Sequence, residues 1–168
     1  VVFCDVEEDT YLMDIKKLSR LLSQSPKGTY KGIVLVDFAG YPANLEAFRQ
    51  LADEYGLWII EDACHAPGGY FIDSKGEKQL CGNGNFADIS VFSFHPVKHI
   101  ATGEGGMATT NSKKLYEKLC LYRTHGITKD PALLCENHGG WYYEMQELGY
   151  NYRITDFQAA LGISQLKR

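Results

Sequence analysis

The spacing of apolar residues along the chain predicts an alternation of strands and helices. Continuous apolar runs at residues 33–38 and 57–61 are typical of strands that are covered on both faces. Residues 44–55 instead repeat apolar positions at helical spacing, with Asn44 able to cap the start and Gly56 able to end the helix. A strand, a helix and a strand within about 30 residues predict a βαβ unit, whose two strands are parallel.

The rest of the chain continues the same alternation. Thr155 and Gln158 have the spacing of a capping box, which predicts that a last helix begins there. Residues 124–150 are rich in His, Gly and Tyr and are predicted to be mostly irregular. The other predicted elements are helices at residues 14–23 and 112–123 and strands at 1–5, 88–94 and 107–110. The predicted fold class is therefore α/β with a mostly parallel sheet.

Composition places the chain among ordinary globular domains. Its 168 residues are 45% hydrophobic and 23% charged, which argues against disorder. The formal net charge of −4 argues against a nucleic-acid partner, because phosphate binding needs a basic field. No apolar stretch approaches the roughly 20 residues that cross a bilayer, so no membrane partner is expected. The five cysteines, odd in number and without pairing rhythm, favour free thiols and a cytoplasmic location.

Polar and ionisable side chains follow two of the predicted strands. Glu61 and Asp62 end one strand, and Ser93 and Lys98 follow another, just before the glycine-rich turn 103–106. In open α/β sheets, ligands bind beyond the carboxyl ends of the strands. A lysine can form a Schiff base with an aldehyde cofactor, and a carboxylate can keep the ring nitrogen of pyridoxal phosphate protonated. A hydroxyl and backbone N–H groups suit a phosphate, so these residue types fit pyridoxal phosphate.

Other interpretations of the same residues remain open on pattern alone. Asp62 can be a helix cap, and Lys98 can be an ordinary solvated lysine. A zinc hydrolase is a further alternative, drawing on His65, His95, His99, Cys64 and Cys81. However, Pro96 interrupts the histidine pair and no Cys-x-x-Cys motif is present, so no metal site is expected. The string 82–87 matches a loose dinucleotide-binding pattern but precedes a strand, which predicts a turn.

Four motifs, in this order, resemble the DegT/DnrJ/EryC1/StrS family of sugar aminotransferases. They are Glu61–Ala66, Ser93–His99, Gly103–Gly106 and Gly149–Asp156. The resemblance covers essentially the whole chain and implies a three-layer fold with helices on both faces of the sheet. It also implies a homodimeric, pyridoxal-phosphate-dependent enzyme that transfers an amino group to a nucleotide-linked 4-keto-6-deoxy sugar. Segments 94–100 and 142–150 are most similar to the branch that serves pseudaminic acid synthesis, which uses L-glutamate as the amino donor.

The resemblance assigns roles to individual residues. Lys98 matches the lysine that bonds covalently to the cofactor, and Asp62 matches the acid that faces the pyridine nitrogen. His65 matches a residue placed against the ring, and Ser93 matches a ligand of the phosphate. Asn151 matches the asparagine that reaches the cofactor phosphate of the other subunit. A lysine at position 98 favours transamination, since dehydratases of the family have histidine there.

The remaining expectations concern substrate and completeness. His95 and Arg153 lie where side chains of the family can meet the nucleotide sugar. The chain opens at Val1 in a strand-like run and ends at Arg168 within a helical pattern, so residues 1–168 are expected to be the central part of a large domain. The family's N-terminal segment and small C-terminal domain are then absent, and these residues alone are expected to be inactive. The alternative is a noncatalytic α/β scaffold that keeps only the family's shape.

Overall fold

The computed structural model describes all of residues 1–168. Its strands are β1 (Gly32–Val36), β2 (Trp58–Asp62), β3 (Tyr70–Ile72), β4 (Lys78–Leu80), β5 (Ile89–Ser93), β6 (Gly106–Thr109), β7 (Ile127–Thr128) and β8 (Glu144–Met145). Its α-helices are α1 (Ile15–Ser23), α2 (Leu45–Tyr55), α3 (Lys113–Arg123) and α4 (Asp156–Gln165). None of these helices combines the length and apolar character needed to span a bilayer.

A four-stranded sheet in the order β1–β2–β5–β6 forms the centre of the fold. The strands β1, β2 and β5 run parallel to one another, and β6 runs antiparallel to β5. The pairs β3–β4 and β7–β8 are separate two-stranded antiparallel sheets. The predicted α/β class and the mostly parallel sheet are thus confirmed.

The register of the central sheet sorts its side chains onto two faces. Leu35 pairs with Glu61, and Asp62 pairs with both Val36 and Val91, so neighbouring residues alternate between the faces. We call the first the buried face, formed by Ile33, Leu35, Ile59, Glu61 and Ser90, all of which are buried. We call the second the open face, formed by Val34, Val36, Ile60, Asp62 and Ser93, which are half-buried or exposed.

Helices α1 and α2 pack on the buried face. The main core cluster joins Leu18 and Leu22 of α1, and Phe48 and Ala52 of α2, to Ile59 of the sheet. Both helices present their apolar stripe to the strands, as the helical spacing of these residues predicts. The open face receives none of these core side chains.

Local signals in the sequence set the ends of the helices. The Asn44 side chain accepts a hydrogen bond from the Ala47 N–H at 3.2 Å, which caps α2. Gly56 ends the same helix with a left-handed backbone, φ +68°. Thr155 and Gln158 form the reciprocal hydrogen bonds of a capping box at the start of α4. These three predictions are confirmed.

Two segments differ from the sequence-based expectation. The prediction of a strand at residues 1–5 is wrong, because none of these residues pairs with a strand. The next residue, Val6, makes an isolated bridge to Met13. An apolar pattern does not supply the neighbouring backbone that a strand needs for its hydrogen bonds. A cavity of about 660 Å³, lined mostly by apolar side chains, lies between this segment and β1. The hairpin of β3 and β4 was not predicted, while residues 124–150 are mostly irregular as expected.

Candidate active site

Asp62 is the last residue of β2 and lies on the open face. A turn rather than a helix follows it, so the interpretation of Asp62 as a helix cap is wrong. One carboxylate oxygen, Oδ1, accepts a hydrogen bond from the Cys64 N–H at 3.1 Å. The carboxylate takes part in none of the ion pairs of the chain, which leaves it available to a ligand at the sheet edge.

Ser93 and Lys98 lie beyond the end of the neighbouring strand β5. Since Asp62 pairs with Val91, the alternation of β5 puts Ser93 on the same open face as Asp62. The Ser93 hydroxyl oxygen accepts a hydrogen bond from the His95 N–H at 3.3 Å. Lys98 is half-buried, and its amine makes neither an ion pair nor a side-chain hydrogen bond.

The Cys64 thiol is influenced by the charges of both Asp62 and Lys98. Burial and, after it, the neighbouring Asp62 raise the pKa of this thiol to about 11. The positive charge of Lys98 acts in the opposite direction on the same pKa. Both side chains therefore lie near Cys64, which brings the acid and the amine to one edge of the sheet.

The loop between Lys98 and β6 is held closed by two hydrogen bonds that Thr102 donates. This buried residue donates its backbone N–H to the Phe94 carbonyl oxygen at 2.9 Å and its hydroxyl to the Glu104 carbonyl oxygen at 2.7 Å. A Cβ on Gly105 would lie 2.4 Å from the Thr102 hydroxyl oxygen, so no larger residue fits there without a shift. The Gln158 amide at the start of α4 donates to the same Glu104 carbonyl at 2.8 Å, which docks α4 on this loop.

His65 lies on the turn that follows Asp62 and contacts the loop after β1. The centroids of the His65 and Phe38 rings are 6.5 Å apart. Gly40 has a left-handed backbone, φ +82°, and a Cβ at this position would lie 2.7 Å from the His65 carbonyl oxygen. The loop after β1 thus packs closely against the turn that bears His65, and both border the end of β2.

His95, Asn151 and Arg153 are all exposed. The His95 Nδ1 accepts from the Val97 N–H at 3.3 Å, and its Nε2 lies 3.9 Å from a carboxylate oxygen of Glu104. Asn151 forms an isolated backbone bridge with Thr124. The Arg153 guanidinium makes no ion pair within the chain. The structure thus gathers Asp62, Ser93, Lys98 and His65 at one sheet edge, while Asn151 and Arg153 are exposed.

Two buried acids at this edge were not assigned a role from the sequence. Asp37 and Glu61 are each only 1% exposed, and burial raises the pKa of Glu61 to about 7. Burial likewise raises the pKa of Asp37. Cys81 lies with these two carboxylates rather than with the histidines of the zinc interpretation. The sequence signal for this pair is that an acid lies near the end of each of the two strands: Asp37 directly follows β1, and Glu61 is the next-to-last residue of β2. In the register, Asp37 lies two positions beyond Leu35, which is the partner of Glu61.

Comparison with known proteins settles the family. The model of the DegT/DnrJ/EryC1/StrS aminotransferase family matches residues 1–168, the whole chain. This chain belongs to that family. The family assignment agrees with the four motifs at the candidate site.

Curated and solved members of the family extend well beyond this chain. The UDP-4-amino-4,6-dideoxy-N-acetyl-beta-L-altrosamine transaminase of Campylobacter jejuni is 40% identical over 168 residues, which are 100% of this chain and 40% of that protein. The structure of Helicobacter pylori PseC, an aminotransferase involved in the biosynthesis of pseudoaminic acid, matches with a TM-score of 0.78 and 34% identity. That match covers 99% of this chain and 39% of PseC.

A further solved aminotransferase has the same fold. The aminotransferase from Psychrobacter cryohalolentis matches with a TM-score of 0.80 and 34% identity, over 99% of this chain and 40% of that one. The chain thus spans about two fifths of the length of the curated relatives it matches. Similarity of this extent shows the aminotransferase fold for the arrangement of strands and helices described above.

Proposed function

We propose that residues 1–168 form the central part of the large domain of a pyridoxal-phosphate-dependent sugar aminotransferase. The reaction is the transfer of an amino group from L-glutamate to a nucleotide-linked 4-keto-6-deoxy sugar, of the kind that leads to pseudaminic acid. Family membership and the names of the relatives support this proposal. The observation that carries it is the placement of Asp62 and Ser93 on one open face, beside the unpaired amine of Lys98.

The residues at this sheet edge fit the functional groups of pyridoxal phosphate. The cofactor offers a basic ring nitrogen, an aldehyde and a phosphate. Asp62 has a carboxylate free of ion pairs for the ring nitrogen, Lys98 has an unpaired amine for the aldehyde, and Ser93 has a hydroxyl for the phosphate. The bound cofactor supplies an electron sink for the carbon that loses its proton.

Side chains of this chain would hold and transfer protons at the bound cofactor and the substrate. The negative charge of Asp62 favours a proton on the ring nitrogen, because an opposite charge stabilises the cationic form. The Lys98 Nζ would accept a proton from the substrate carbon and return it, as a general base and then a general acid. His65, on the turn after Asp62, would border the ring. The half-buried setting of Asp62 and Lys98 strengthens these charge interactions relative to bulk water.

The exposed residues suit contacts outside this chain's own cluster. We propose a cytoplasmic homodimer in which Asn151 serves the cofactor phosphate of the partner subunit. This agrees with the exposure of Asn151. His95 and Arg153, also exposed, are proposed to contact the nucleotide sugar.

Covalent trapping tests the proposal directly. The full-length protein is loaded with pyridoxal phosphate, reduced with borohydride and digested, and the labelled peptide is identified by mass spectrometry. We expect the label on Lys98 in the wild type and no label in Lys98→Ala. The matched control is Lys113→Ala, because the Lys113 side chain is 89% exposed on α3 and should leave the labelling intact. A label on another lysine would overturn the assignment of Lys98, and no label in the wild type would overturn the proposed function and favour a noncatalytic scaffold.

Residues 1–168 by themselves should bind the cofactor weakly and turn over no substrate. Charge-assisted hydrogen bonds to a phosphate contribute roughly 1.5–3 kcal/mol each. We propose that segments outside this chain provide most of these donors, since Ser93 and a partner's Asn151 are the ligands assigned within it. Losing two or three donors weakens binding by several orders of magnitude, at about tenfold per 1.4 kcal/mol. A cofactor titration with a glutamate half-reaction measures this, and stoichiometric tight binding would contradict it.

A further inference from the structure

Asp37 and Glu61 form a buried pair of acids beneath the candidate site. Glu61 lies on the buried face of β2, and Asp37 follows β1 on the same side of the sheet. The Asp37 and Glu61 carboxylates and the Cys81 thiol bring one ligand atom each within 4.8 Å of one another. Neither acid takes part in an ion pair. Two acids are therefore held together in the core without a compensating cation.

Each carboxylate has one satisfied and one unsatisfied oxygen. Asp37 Oδ1 accepts from the Ala43 N–H at 2.9 Å. Glu61 Oε2 accepts from the Gly82 N–H at 2.9 Å and from the Ser90 hydroxyl. Asp37 Oδ2 and Glu61 Oε1 are buried and receive no hydrogen bond. A buried oxygen without a donor is costly, and two buried like charges are costlier still.

A single shared proton relieves both costs. It removes one of the two charges, and it supplies the donor that the two unsatisfied oxygens lack. Burial is the main cause that raises the pKa of both acids; Asp62 adds to the rise at Asp37, and Asp37 adds to the rise at Glu61. The Ala43 N–H and the neighbouring Cys81 and Glu61 side chains act in the opposite direction on the pKa of Asp37. Cys81 is kept a neutral thiol, because burial raises its pKa strongly. The hydrogen bonds from Ser90 and Gly82 oppose the rise at Glu61 without cancelling it.

We propose that Asp37 and Glu61 share one proton at neutral pH and together act as a positioning pair for the active-site edge; the positioning role rests on the proposed function. Asp37 closes the loop that contains Phe38 and Gly40, which packs against the turn bearing His65. The Asp37 N–H also donates to the Asp62 carbonyl oxygen at 3.0 Å. Glu61 immediately precedes Asp62 in β2. The pair thus ties two neighbouring strand ends together at the residue proposed to face the ring nitrogen.

The pH dependence of stability tests the shared proton without any activity. The ordinary pKa of Glu61, 4.5, applies to the unfolded chain, and burial raises the pKa to about 7 in the fold. The folded state therefore binds more protons between these values, and wild-type stability falls as the pH rises from 4.5 to 7. Glu61→Gln donates from its amide at every pH. The ratio of its equilibrium constant for folding to that of the wild type should therefore rise by up to about tenfold per pH unit between pH 4.5 and about 7.

Matched variants of the full-length protein separate the alternatives. Glu54→Gln, an exposed glutamate of α2, should keep the wild-type pH slope. Because Glu61→Gln can fail to fold, Asp37→Asn is measured as well; its slope should be smaller than that of the wild type, because the charge of Asp37 no longer adds to the effect of burial on the pKa of Glu61. Wild-type slopes in both Glu61→Gln and Asp37→Asn would overturn the shared proton. Stabilisation of the wild type by added Zn²⁺ or Mn²⁺, abolished in Glu61→Gln, would overturn it in favour of a metal ion.

A spectroscopic readout tests the positioning role. The absorption of bound pyridoxal phosphate is titrated with pH in the loaded wild type, Glu61→Gln and Glu61→Ala, or Asp37→Ala where Glu61→Ala does not fold. The alanine variant should shift the titration midpoint, and Glu61→Gln should restore it, because the amide keeps the hydrogen bond to Asp37. An unshifted midpoint in the alanine variant would overturn the positioning role. A wild type that binds no cofactor would overturn the proposed function and leave the pH slope of stability unchanged.

Discussion

The two faces of the central sheet differ although the same short strands build both. On the buried face, Ile59 is 0% exposed in the core formed with α1 and α2, and Glu61 is 1% exposed beside Gly82 and Ser90. On the open face, Ile60 and Asp62 are half-buried and meet no helix of the main core. Adjacent residues of β2 therefore occupy an apolar core and an accessible edge. The alternation of a strand lets one segment of five residues face the core on one side and the proposed ligand site on the other.

The neighbouring acids Glu61 and Asp62 show what that difference does to chemistry. Burial raises the pKa of Glu61 to about 7, so its neutral form is favoured and it can share a proton with Asp37. Asp62 is half-buried, and its Oδ1 accepts a hydrogen bond at 3.1 Å from the Cys64 N–H. Asp62 lies at the edge where the ring nitrogen is proposed to bind. Glu61 lies in the interior, where a second charge beside Asp37 would be costly.

The largest expected effect is on the open face. Asp62→Asn removes the negative charge proposed to hold the proton on the ring nitrogen, while keeping a side chain of the same size. We expect turnover of the full-length enzyme to fall about 1000-fold, or about 4 kcal/mol in activation free energy, with the fold retained. Steady-state kinetics measures the loss, and thermal unfolding checks the fold. The control Asp53→Asn, an exposed acid of α2, should keep normal turnover. Near-normal turnover in Asp62→Asn would assign this residue a structural role only.

The neighbouring isoleucines of β2 test the packing difference between the faces. Ile59→Ala should lower the free energy of unfolding by about 3–4 kcal/mol, because it opens a cavity in the main core. Ile60→Ala, on the half-buried open face, should cost about 1–2 kcal/mol, since less apolar surface is lost from burial. Denaturant unfolding of both variants gives the comparison. Equal losses would mean that the open face is packed as tightly as the buried one.

Local sequence signals account for the predictable part of the fold. Asn44, Gly56 and Thr155 act through hydrogen bonds or backbone angles within a few residues, so their patterns are legible without a structure. The position of Asp62 and Ser93 at one edge was predictable too, because parallel strands place their carboxyl ends together. The assignment to a family depended on ordered motifs rather than on any of these local rules.

The unpredicted features all depend on contacts between distant segments. Residues 1–5 have the apolar pattern of a strand, yet strand formation requires a neighbouring backbone that the pattern does not specify. The proximity of Asp37 and Glu61 depends on the register of β1 against β2. A shift of one residue would place the two side chains on opposite faces of the sheet. Both residues must also be buried before their pKa values rise. Register and burial are properties of the assembled sheet.

A smaller effect is expected where the loop after β1 meets the turn bearing His65. Gly40→Ala places a Cβ 2.7 Å from the His65 carbonyl oxygen at a residue with φ +82°. The matched control is Gly28→Ala, where φ is +86° and nothing lies within 4 Å. The left-handed backbone costs about 1 kcal/mol in both variants, and the contact adds about 1 kcal/mol in Gly40→Ala alone. Urea unfolding measures the difference, and equal losses would show that the loop does not pack on this turn.

The smallest expected effect tests how freely the open face can adjust. A Cβ on Gly32 would lie 2.0 Å from a ring carbon of Trp58, so Gly32→Ala must displace the indole. Because Trp58 is already 45% exposed, its ring can move into solvent at a cost of under about 1 kcal/mol. The chain has two tryptophans, so the variant is made in a Trp141→Phe background in which Trp58 alone reports.

We expect Trp58 emission to shift to longer wavelength and quenching by acrylamide to increase, while the unfolding midpoint changes little. Gly140→Ala is the control, since a Cβ there meets nothing within 4 Å. A Gly32→Ala variant with unchanged emission and a large loss of stability would mean that the indole is held in place. The open face would then be as rigid as the buried face, and the contrast between the two faces would be one of exposure without a difference in freedom to move.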